Sequence, residues 1–274
     1  MDYKLIAIDM DGTLLNSQDK ISERNKKALL NAIANGIHVV LATGRIYKSA
    51  LHYQRYIGLK SPIIACNGAV ISSSEDDIIF ENFIDNNSLK KIIRLAEEND
   101  MYYHFYDKDK FYYKTSKKEF VNYYKYYEEN YFSQGIELVK FKNPSEIIDL
   151  NSSRYYKVVF IDDNSAKLLD FRRKLSNIKG IAISKSWHNN IEVMNASVSK
   201  GNAVKFLIDI LNIDSSNVIT IGDNENDVSM FKVSGLSVAM KNGDEIAKNH
   251  ADVITDTNDE DGVAKVIEKY VFKS

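Results

Sequence analysis

Short apolar runs alternate with helix-patterned segments at both ends of the chain, and this alternation is the strongest constraint on the fold. The runs at 5–8, 39–42 and 218–221 are apolar almost throughout. A segment at 22–35 carries apolar residues at helical spacing and ends at Gly36. Apolar strands separated by helices are typical of a parallel sheet covered on both faces. The pattern therefore predicts an α/β fold.

The middle of the chain differs from both ends. Ten of the 17 tyrosines fall between Tyr102 and Tyr131, and the regular alternation is lost there. Helices are predicted at about 87–99, 117–130 and 164–176, and strands at about 101–105, 111–114, 155–161 and 181–184. The simplest account is one α/β domain, formed by 1–83 and 187–274, that is interrupted by an inserted α+β domain at 84–186.

Composition and charge exclude several classes of protein. The formal net charge of −2 gives no generally basic surface, so we expect no nucleic-acid partner. The aromatic cluster could serve as a stacking platform for bases, but packing inside a small domain is the favoured interpretation. Apolar stretches long enough for a membrane span and a signal-peptide pattern are both missing, which predicts a cytoplasmic protein without membrane contact. The single cysteine, Cys66, lies in an apolar run and is predicted to be a buried, inert thiol.

Polar residues follow three of the apolar runs at the point where each predicted strand ends. In an open parallel sheet the carboxyl ends of the strands form the crevice in which ligands bind. The three groups should therefore converge on one place. They are Asp9 and Asp11; Thr43, Gly44 and Arg45; and Asp223, Asn226 and Asp227.

Several carboxylates at one sheet edge require a cation, because their mutual repulsion in a partly buried site is costly. Mg²⁺ fits best, since it takes one or two carboxylates and shares phosphate oxygens with a substrate. Lys200, at the start of a predicted helix, and the helix start after Gly222 would add positive potential for an anion. Metal, lysine and hydroxyl together predict a site for phosphoryl chemistry.

The segment Asp9-Met10-Asp11-Gly12-Thr13-Leu14 resembles the D-x-D-G-T-L motif that opens the haloacid dehalogenase superfamily of phosphohydrolases. Thr43, Lys200 and the segment from Gly222 to Asp227 resemble the second, third and fourth motifs, in the same order. Each motif alone could be a turn or a helix cap, but the ordered set is specific. The long insertion and the run from Cys66 to Ala69 resemble the Cof-like sugar-phosphatase subgroup. The resemblance implies a Rossmann-like, three-layer α/β/α core with an inserted cap.

The resemblance also implies a role for each motif position. Asp9 would be the nucleophile that forms an aspartyl-phosphate, and Asp11 would act as general acid and then base. The Mg²⁺ ligands would be the carboxylates of Asp9 and Asp223 and the backbone carbonyl of Asp11, with Asp227 supporting them. The phosphoryl oxygens would be held by the backbone at Met10 and Gly44 and by Thr43, Lys200 and Asn226.

The implied activity is Mg²⁺-dependent hydrolysis of phosphate monoesters of small metabolites, such as sugar phosphates. A phosphotransferase or phosphomutase, and a receiver-like phospho-signalling module, are the alternatives. Substrate contacts are assigned to Asn67, Arg45, His188 and Glu192. Hinge packing is the competing interpretation for the last two, which lie where the chain returns from the insertion. The expected partner is a small phosphorylated metabolite, and the sequence indicates no obligate protein partner.

Overall fold

The structure is a computed structural model that describes residues 2–75, 77–114, 133–148 and 154–272 of the 274-residue chain. Its strands are β1 (Leu5–Ile8), β2 (His38–Ala42), β3 (Ile63–Ala65), β4 (Val70–Ser74), β5 (Asp77–Glu81), β6 (Tyr102–Tyr106), β7 (Lys110–Lys114), β8 (Glu137–Phe141), β9 (Lys157–Ile161), β10 (Ile181–Ser184), β11 (Asn190–Asn195), β12 (Val218–Gly222), β13 (Leu236–Met240) and β14 (Val253–Thr255).

Helices occupy both ends and the middle of the chain. They are α1 (Glu23–Ala34), α2 (Tyr47–Ile57), α3 (Asn86–Glu98), α4 (Ser165–Leu175), α5 (Lys200–Leu211), α6 (Val228–Phe231), α7 (Glu245–His250) and α8 (Gly262–Tyr270). Within the described ranges, none of the helices combines the length and the apolar character that crossing a membrane requires. The helix predicted at about 117–130 lies outside the described residues.

The larger sheet has eight strands in the order β14-β13-β12-β1-β2-β3-β4-β5. Its pairs from β14 to β3 are parallel, and the β4–β5 hairpin adds an antiparallel edge. Alternate strand residues point to opposite faces: Ile6 and Ile8 pack in the cluster that contains α1, α2 and α8, whereas Leu5 and Ala7 pack with α5, α6 and α7. Both faces are therefore covered by helices, and the predicted three-layer α/β core is confirmed.

A second, six-stranded sheet has the order β10-β11-β9-β6-β7-β8 and is antiparallel except for its β7–β8 pair. One face is covered by α3 and α4. The sequence boundary at 187 assigned β11 to the core segment, but β11 pairs with β9 and β10 of this smaller sheet. Strand pairing is a long-range contact, which the local pattern at 190–195 does not encode. The boundaries of the two domains stay a prediction.

The described aromatic residues of the middle segment pack against one another inside this second unit. Tyr103 and Phe105 lie with ring centroids 5.5 Å apart, and Phe160 meets Phe171 of α4 at 4.8 Å. These four rings are buried. For these residues the interpretation as packing is confirmed, and aromatic contacts of this geometry stabilise a core beyond the area they bury.

Candidate active site

The order of the larger sheet brings the predicted strand-end residues to one edge. β1 lies between β12 and β2, so Asp9 after β1 has Asp223 after β12 on one side and Thr43 after β2 on the other. All three side chains are buried. The convergence expected from strand ends is therefore present in the structure.

Three carboxylates form a buried cluster at this edge. One oxygen from each of Asp9, Asp223 and Asp227 lies within 4.8 Å of the other two. Lys200, the first residue of α5, is fully buried and its Nζ donates to Asp9 Oδ1 and, at 2.6 Å, to Asp227 Oδ1. One ammonium thus faces three carboxylates, which leaves an excess of negative charge in a site shielded from water.

Crowding of like charges shifts the acid–base equilibria of the cluster. Burial raises the pKa of Asp9 to about 7, with Lys200 opposing and Asp227 adding to the rise. Burial and the Asp9 carboxylate also raise the pKa of Asp223 well above its usual value. Burial lowers the pKa of the Lys200 ammonium, but Asp227 and Asp9 outweigh that effect, so its pKa is raised. All three shifts favour the uptake of positive charge by the cluster.

Asp227 is fixed by donors of its own chain. Its Oδ2 accepts from the backbone N–H groups of Asp223 and Asn224, both at 2.9 Å, while its Oδ1 accepts from Lys200. Asp227 therefore holds the loop after β12 through Oδ2 and the Lys200 ammonium through Oδ1.

Asp223 is held by the first motif, where the sequence analysis gave no role to Thr13. The Thr13 hydroxyl donates to Asp223 Oδ1 at 3.0 Å. A Cβ at Gly12 would lie 2.5 Å from Asp223 Oδ2, and Gly12 has φ +74°, so this position needs glycine for both space and conformation. The signal for Thr13 was its place in the motif, two residues after Asp11.

Asp11 does not join the cluster; its side chain pairs with Arg45. The Arg45 Nε donates to Asp11 Oδ2 at 2.8 Å, and the Asp11 side chain is 44% exposed. Although desolvation raises the pKa of the Asp11 carboxyl, the Arg45 guanidinium outweighs it and holds that pKa below the usual value. The two residues that sequence reasoning assigned to acid–base chemistry and to substrate are thus paired with each other.

The loop Cys66–Gly68, which we call the Asn67 loop, links the strand-end groups. Its backbone is tied to the loop after β2, because Asn67 N donates to Thr43 O and Cys66 N donates to Arg45 O, both at 2.9 Å. Asn67 Oδ1 accepts from Asn226 Nδ2 at 3.1 Å. Cys66 is fully buried, which confirms its predicted burial, and burial raises the pKa of its thiol to about 12.

The residues assigned to substrate differ in burial: Asn67 and Glu192 are buried, Arg45 is half-buried and His188 is exposed. Glu192 of β11 is 2% exposed and accepts from Asn67 Nδ2 at 2.6 Å. His188 is exposed and its ring lies 5.6 Å from that of Trp187. Sequence reasoning missed Lys157 of β9, which is also 2% exposed and contacts both Glu192 and Gly44. A lysine at the start of an apolar run was the available signal.

Gly68 allows the Asn67 loop to pack beneath α5. A Cβ at this position would lie 2.5 Å from Ser199 O, and its φ is +99°. Gly68→Ala should therefore lower the free energy of unfolding by at least about 2–3 kcal/mol, against about 1 kcal/mol for Gly58→Ala. Gly58 is the matched control, because its φ is +88° and no atom lies within 4 Å of the added Cβ. Urea denaturation measures both; equal losses would contradict the assignment to packing.

The sequence of this chain matches a known family over nearly its whole length. The family model described as haloacid dehalogenase-like hydrolase matches residues 6–267. The 5-amino-6-(5-phospho-D-ribitylamino)uracil phosphatase YcsE of Bacillus subtilis is 32% identical over 99% of this chain and 97% of its own length. Putative phosphatase YxeH of the same organism is 32% identical over 98% of this chain and 99% of its own. The chain therefore belongs to the haloacid dehalogenase-like hydrolase family.

Solved structures give the same assignment. A haloacid dehalogenase-like hydrolase from B. subtilis superposes with a TM-score of 0.89 at 30% identity, covering 98% of this chain and 100% of the other. A subclass IIB sugar phosphatase shares the fold, with a TM-score of 0.81 at 22% identity over 97% of this chain and 98% of its own. The resemblance to the superfamily and its Cof-like subgroup is confirmed, and the chain is an enzyme of the phosphatase type.

Proposed function

We propose that this enzyme hydrolyses phosphate monoesters of small metabolites, with Mg²⁺ as cofactor and an aspartyl-phosphate on Asp9 as intermediate. The observation that carries the proposal is the buried cluster of Asp9, Asp223 and Asp227 around Lys200. It combines a carboxylate nucleophile with positive charge for a phosphoryl group at one sheet edge.

The donor set of the cluster fits Mg²⁺. All of its donors are carboxylate oxygens, which hard divalent cations prefer, and three carboxylates face one ammonium. We assign the ligands to the carboxylates of Asp9 and Asp223 and the backbone carbonyl of Asp11, with Asp227 in support. When bound, the ion supplies positive charge that keeps Asp9 ionised and balances negative charge on the phosphoryl group.

Asp9 and Asp11 divide the covalent and proton-transfer steps between them. A carboxylate oxygen of Asp9 attacks phosphorus in line, the bond to the leaving oxygen breaks, and Asp11 donates a proton to that oxygen. Water then attacks the phosphorus of the aspartyl-phosphate and gives its proton to Asp11. The bond between phosphorus and the Asp9 oxygen breaks, so inorganic phosphate is released and Asp9 is regenerated. The phosphoryl oxygens are held throughout by the backbone amides of Met10 and Gly44 and by the side chains of Thr43, Lys200 and Asn226.

Arg45 affects which protonation state of Asp11 is available for each of these steps. The ionised Asp11 that Arg45 favours is the form that accepts a proton from water in the second step. The first step needs the protonated form, so we propose that Arg45 exchanges Asp11 for an anionic group of the substrate as the ester binds. This exchange agrees with the assignment of Arg45 as a substrate contact.

The proposal is tested by release of inorganic phosphate from p-nitrophenyl phosphate and from a panel of sugar, polyol, nucleotide and cofactor phosphates. The panel includes 5-amino-6-(5-phospho-D-ribitylamino)uracil, because a relative is named for it. We expect turnover with Mg²⁺, loss on addition of EDTA and recovery when Mg²⁺ is restored. Failure of every ester to release phosphate in Mg²⁺ contradicts the proposal, and release that persists in EDTA contradicts its metal requirement.

A further inference from the structure

A buried ion pair lies on the face of the smaller sheet that meets the larger domain. Lys157 of β9 and Glu192 of β11 stand on neighbouring strands, and the Lys157 Nζ lies 2.7 Å from Glu192 Oε1, with both side chains 3% exposed. A buried pair of this kind contributes little net stability, because the cost of removing two charges from water offsets their attraction. The geometry of the pair therefore says more about its role than its contribution to stability does.

Lys157 reaches one of the proposed phosphate-binding groups through a single peptide unit. Its Nζ also donates to the backbone carbonyl of Gly44 at 2.5 Å. The N–H of that same peptide belongs to Arg45 and donates to Thr43 Oγ1 at 3.1 Å. Because a peptide unit is planar, fixing its carbonyl also fixes the direction of its N–H, and hence the hydrogen bond that orients the Thr43 hydroxyl.

Glu192 reaches a second proposed phosphate-binding group through Asn67. Glu192 Oε2 accepts from Asn67 Nδ2 at 2.6 Å, and Asn67 Oδ1 accepts from Asn226 Nδ2 at 3.1 Å. Ser186 also donates to Glu192 Oε1, at 2.9 Å, which holds the carboxylate from its other side. The chain of contacts runs from the smaller domain to Asn226 without a gap.

The Asn67 loop can transmit this orientation because its backbone is held in an uncommon conformation. Cys66, Asn67 and Gly68 have φ values of +49°, +57° and +99°. Consecutive left-handed residues cost energy and persist only where the surroundings impose them, as they do at functional sites. Here the surroundings are the loop after β2 and the start of α5.

We propose that Lys157 and Glu192 are positioning residues for Thr43 and Asn226, so that the phosphate-binding groups are aligned only when the smaller domain is seated on the larger one. The inference rests on the proposed function, since it concerns the same site. It replaces the assignment of Glu192 as a substrate contact, because each Glu192 oxygen accepts hydrogen bonds from the chain's own donors.

The double variant Lys157→Met/Glu192→Met tests the proposal by removing both charges at similar volume, a change that buried ion pairs often tolerate. The measurements are the melting temperature, kcat/KM for p-nitrophenyl phosphate and the competitive inhibition constant of inorganic phosphate. We expect the inhibition constant to rise about tenfold or more, as for the loss of one or two hydrogen bonds to a charged group. A merely structural role would lower the folded fraction without changing this constant.

Glu192→Gln is the conservative rescue. It keeps an oxygen that can accept from Asn67, whereas Glu192→Met does not. We therefore expect the inhibition constant of inorganic phosphate to rise less in Glu192→Gln than in Glu192→Met. Lys167→Met is the matched control, because Lys167 pairs with Asp162 at 2.6 Å within the smaller domain and contacts no group of the proposed site. Its inhibition constant should stay within about twofold of the unmodified value.

The proposal is overturned if the double variant binds inorganic phosphate with an inhibition constant within about twofold of that of the unmodified protein, even if turnover falls. If the double variant does not fold, the constant of Lys157→Met, measured on its active fraction, decides in the same way. Failure of the proposed function is a separate result, in which the unmodified protein neither releases phosphate from esters nor binds inorganic phosphate.

Discussion

Asp9→Asn should abolish phosphate release, reducing kcat by at least about 10⁴-fold, the scale seen when an enzyme loses its nucleophile. An amide nitrogen or oxygen at this position does not form the acyl phosphate that the proposed mechanism requires. Release of phosphate from p-nitrophenyl phosphate in Mg²⁺ measures the loss. Activity within about tenfold of the unmodified protein would remove Asp9 as the nucleophile.

The same variant should be at least as stable as the unmodified protein when EDTA removes divalent cations. Asp9 has its pKa raised to about 7 in the folded protein, so between about pH 4 and 7 the folded state binds a proton that the unfolded state has released. Stability then falls as pH rises through this window. The amide of the variant does not titrate there, so the advantage of the variant should grow across the window in urea denaturation.

Asp214→Asn is the control for both measurements. Asp214 precedes β12, at the sheet edge opposite the site, and accepts from Ser216 N at 2.8 Å, a bond that asparagine also makes. Its kcat, and the pH dependence of its stability between about pH 4 and 7, should match those of the unmodified protein, because the pKa of Asp214 is lowered by its hydrogen bonds to Ser216 and the group titrates below this window. A similar loss of activity in this variant would mean that the assay reports folding and not chemistry.

Lys200→Met should destabilise the protein by about 3–5 kcal/mol in EDTA, because it leaves buried carboxylates without their ammonium partner. Lys200 is fully buried between Asp9 and Asp227. Mg²⁺ should recover part of the loss, since a cation in the cluster replaces the missing charge. The free energy of unfolding from urea titrations, with and without Mg²⁺, is the measurement.

Lys205→Met is the matched control, since Lys205 lies exposed on the same helix α5. Its free energy of unfolding should change by about 0.5 kcal/mol or less. The Lys200 variant should also lose about 10²–10³-fold in kcat/KM, because a preorganised charge beside the phosphoryl group is gone. A stability loss below about 1 kcal/mol in EDTA would mean that the carboxylates do not depend on this ammonium.

Much of the fold followed from local pattern. The apolar runs and helical periodicities placed β1, β2 and β12 to within a residue or two, because burial on both faces of a parallel sheet makes a strand apolar along its length. β8 and β11 were missed. In both strands apolar residues alternate or mix with polar ones, and whether such a segment forms a strand depends on partner strands far away in the sequence.

The candidate site was predictable where chemistry demands particular residues at strand ends, as for Asp9 and Asp223, and at a helix start, as for Lys200. The pairing of Arg45 with Asp11 was not predictable, because it depends on side-chain placement across two loops. Lys157 was missed for a related reason. Its partner Glu192 is 35 residues away in the sequence, and a lysine at the start of a strand is ordinarily interpreted as solvent-exposed.

The sequence by itself determined the layered α/β core, the family and the residues that meet at the edge of the larger sheet, because the apolar character of buried strands and the order of the motifs can be recognised from neighbouring residues along the chain. Only the tertiary structure decided which side chains contact one another across the two domains: Arg45 with Asp11, and Lys157 and Glu192 with Gly44 and Asn67. The physical reason is burial. A charged group is removed from water only if the fold brings it a partner, and that partner is chosen by packing between distant segments.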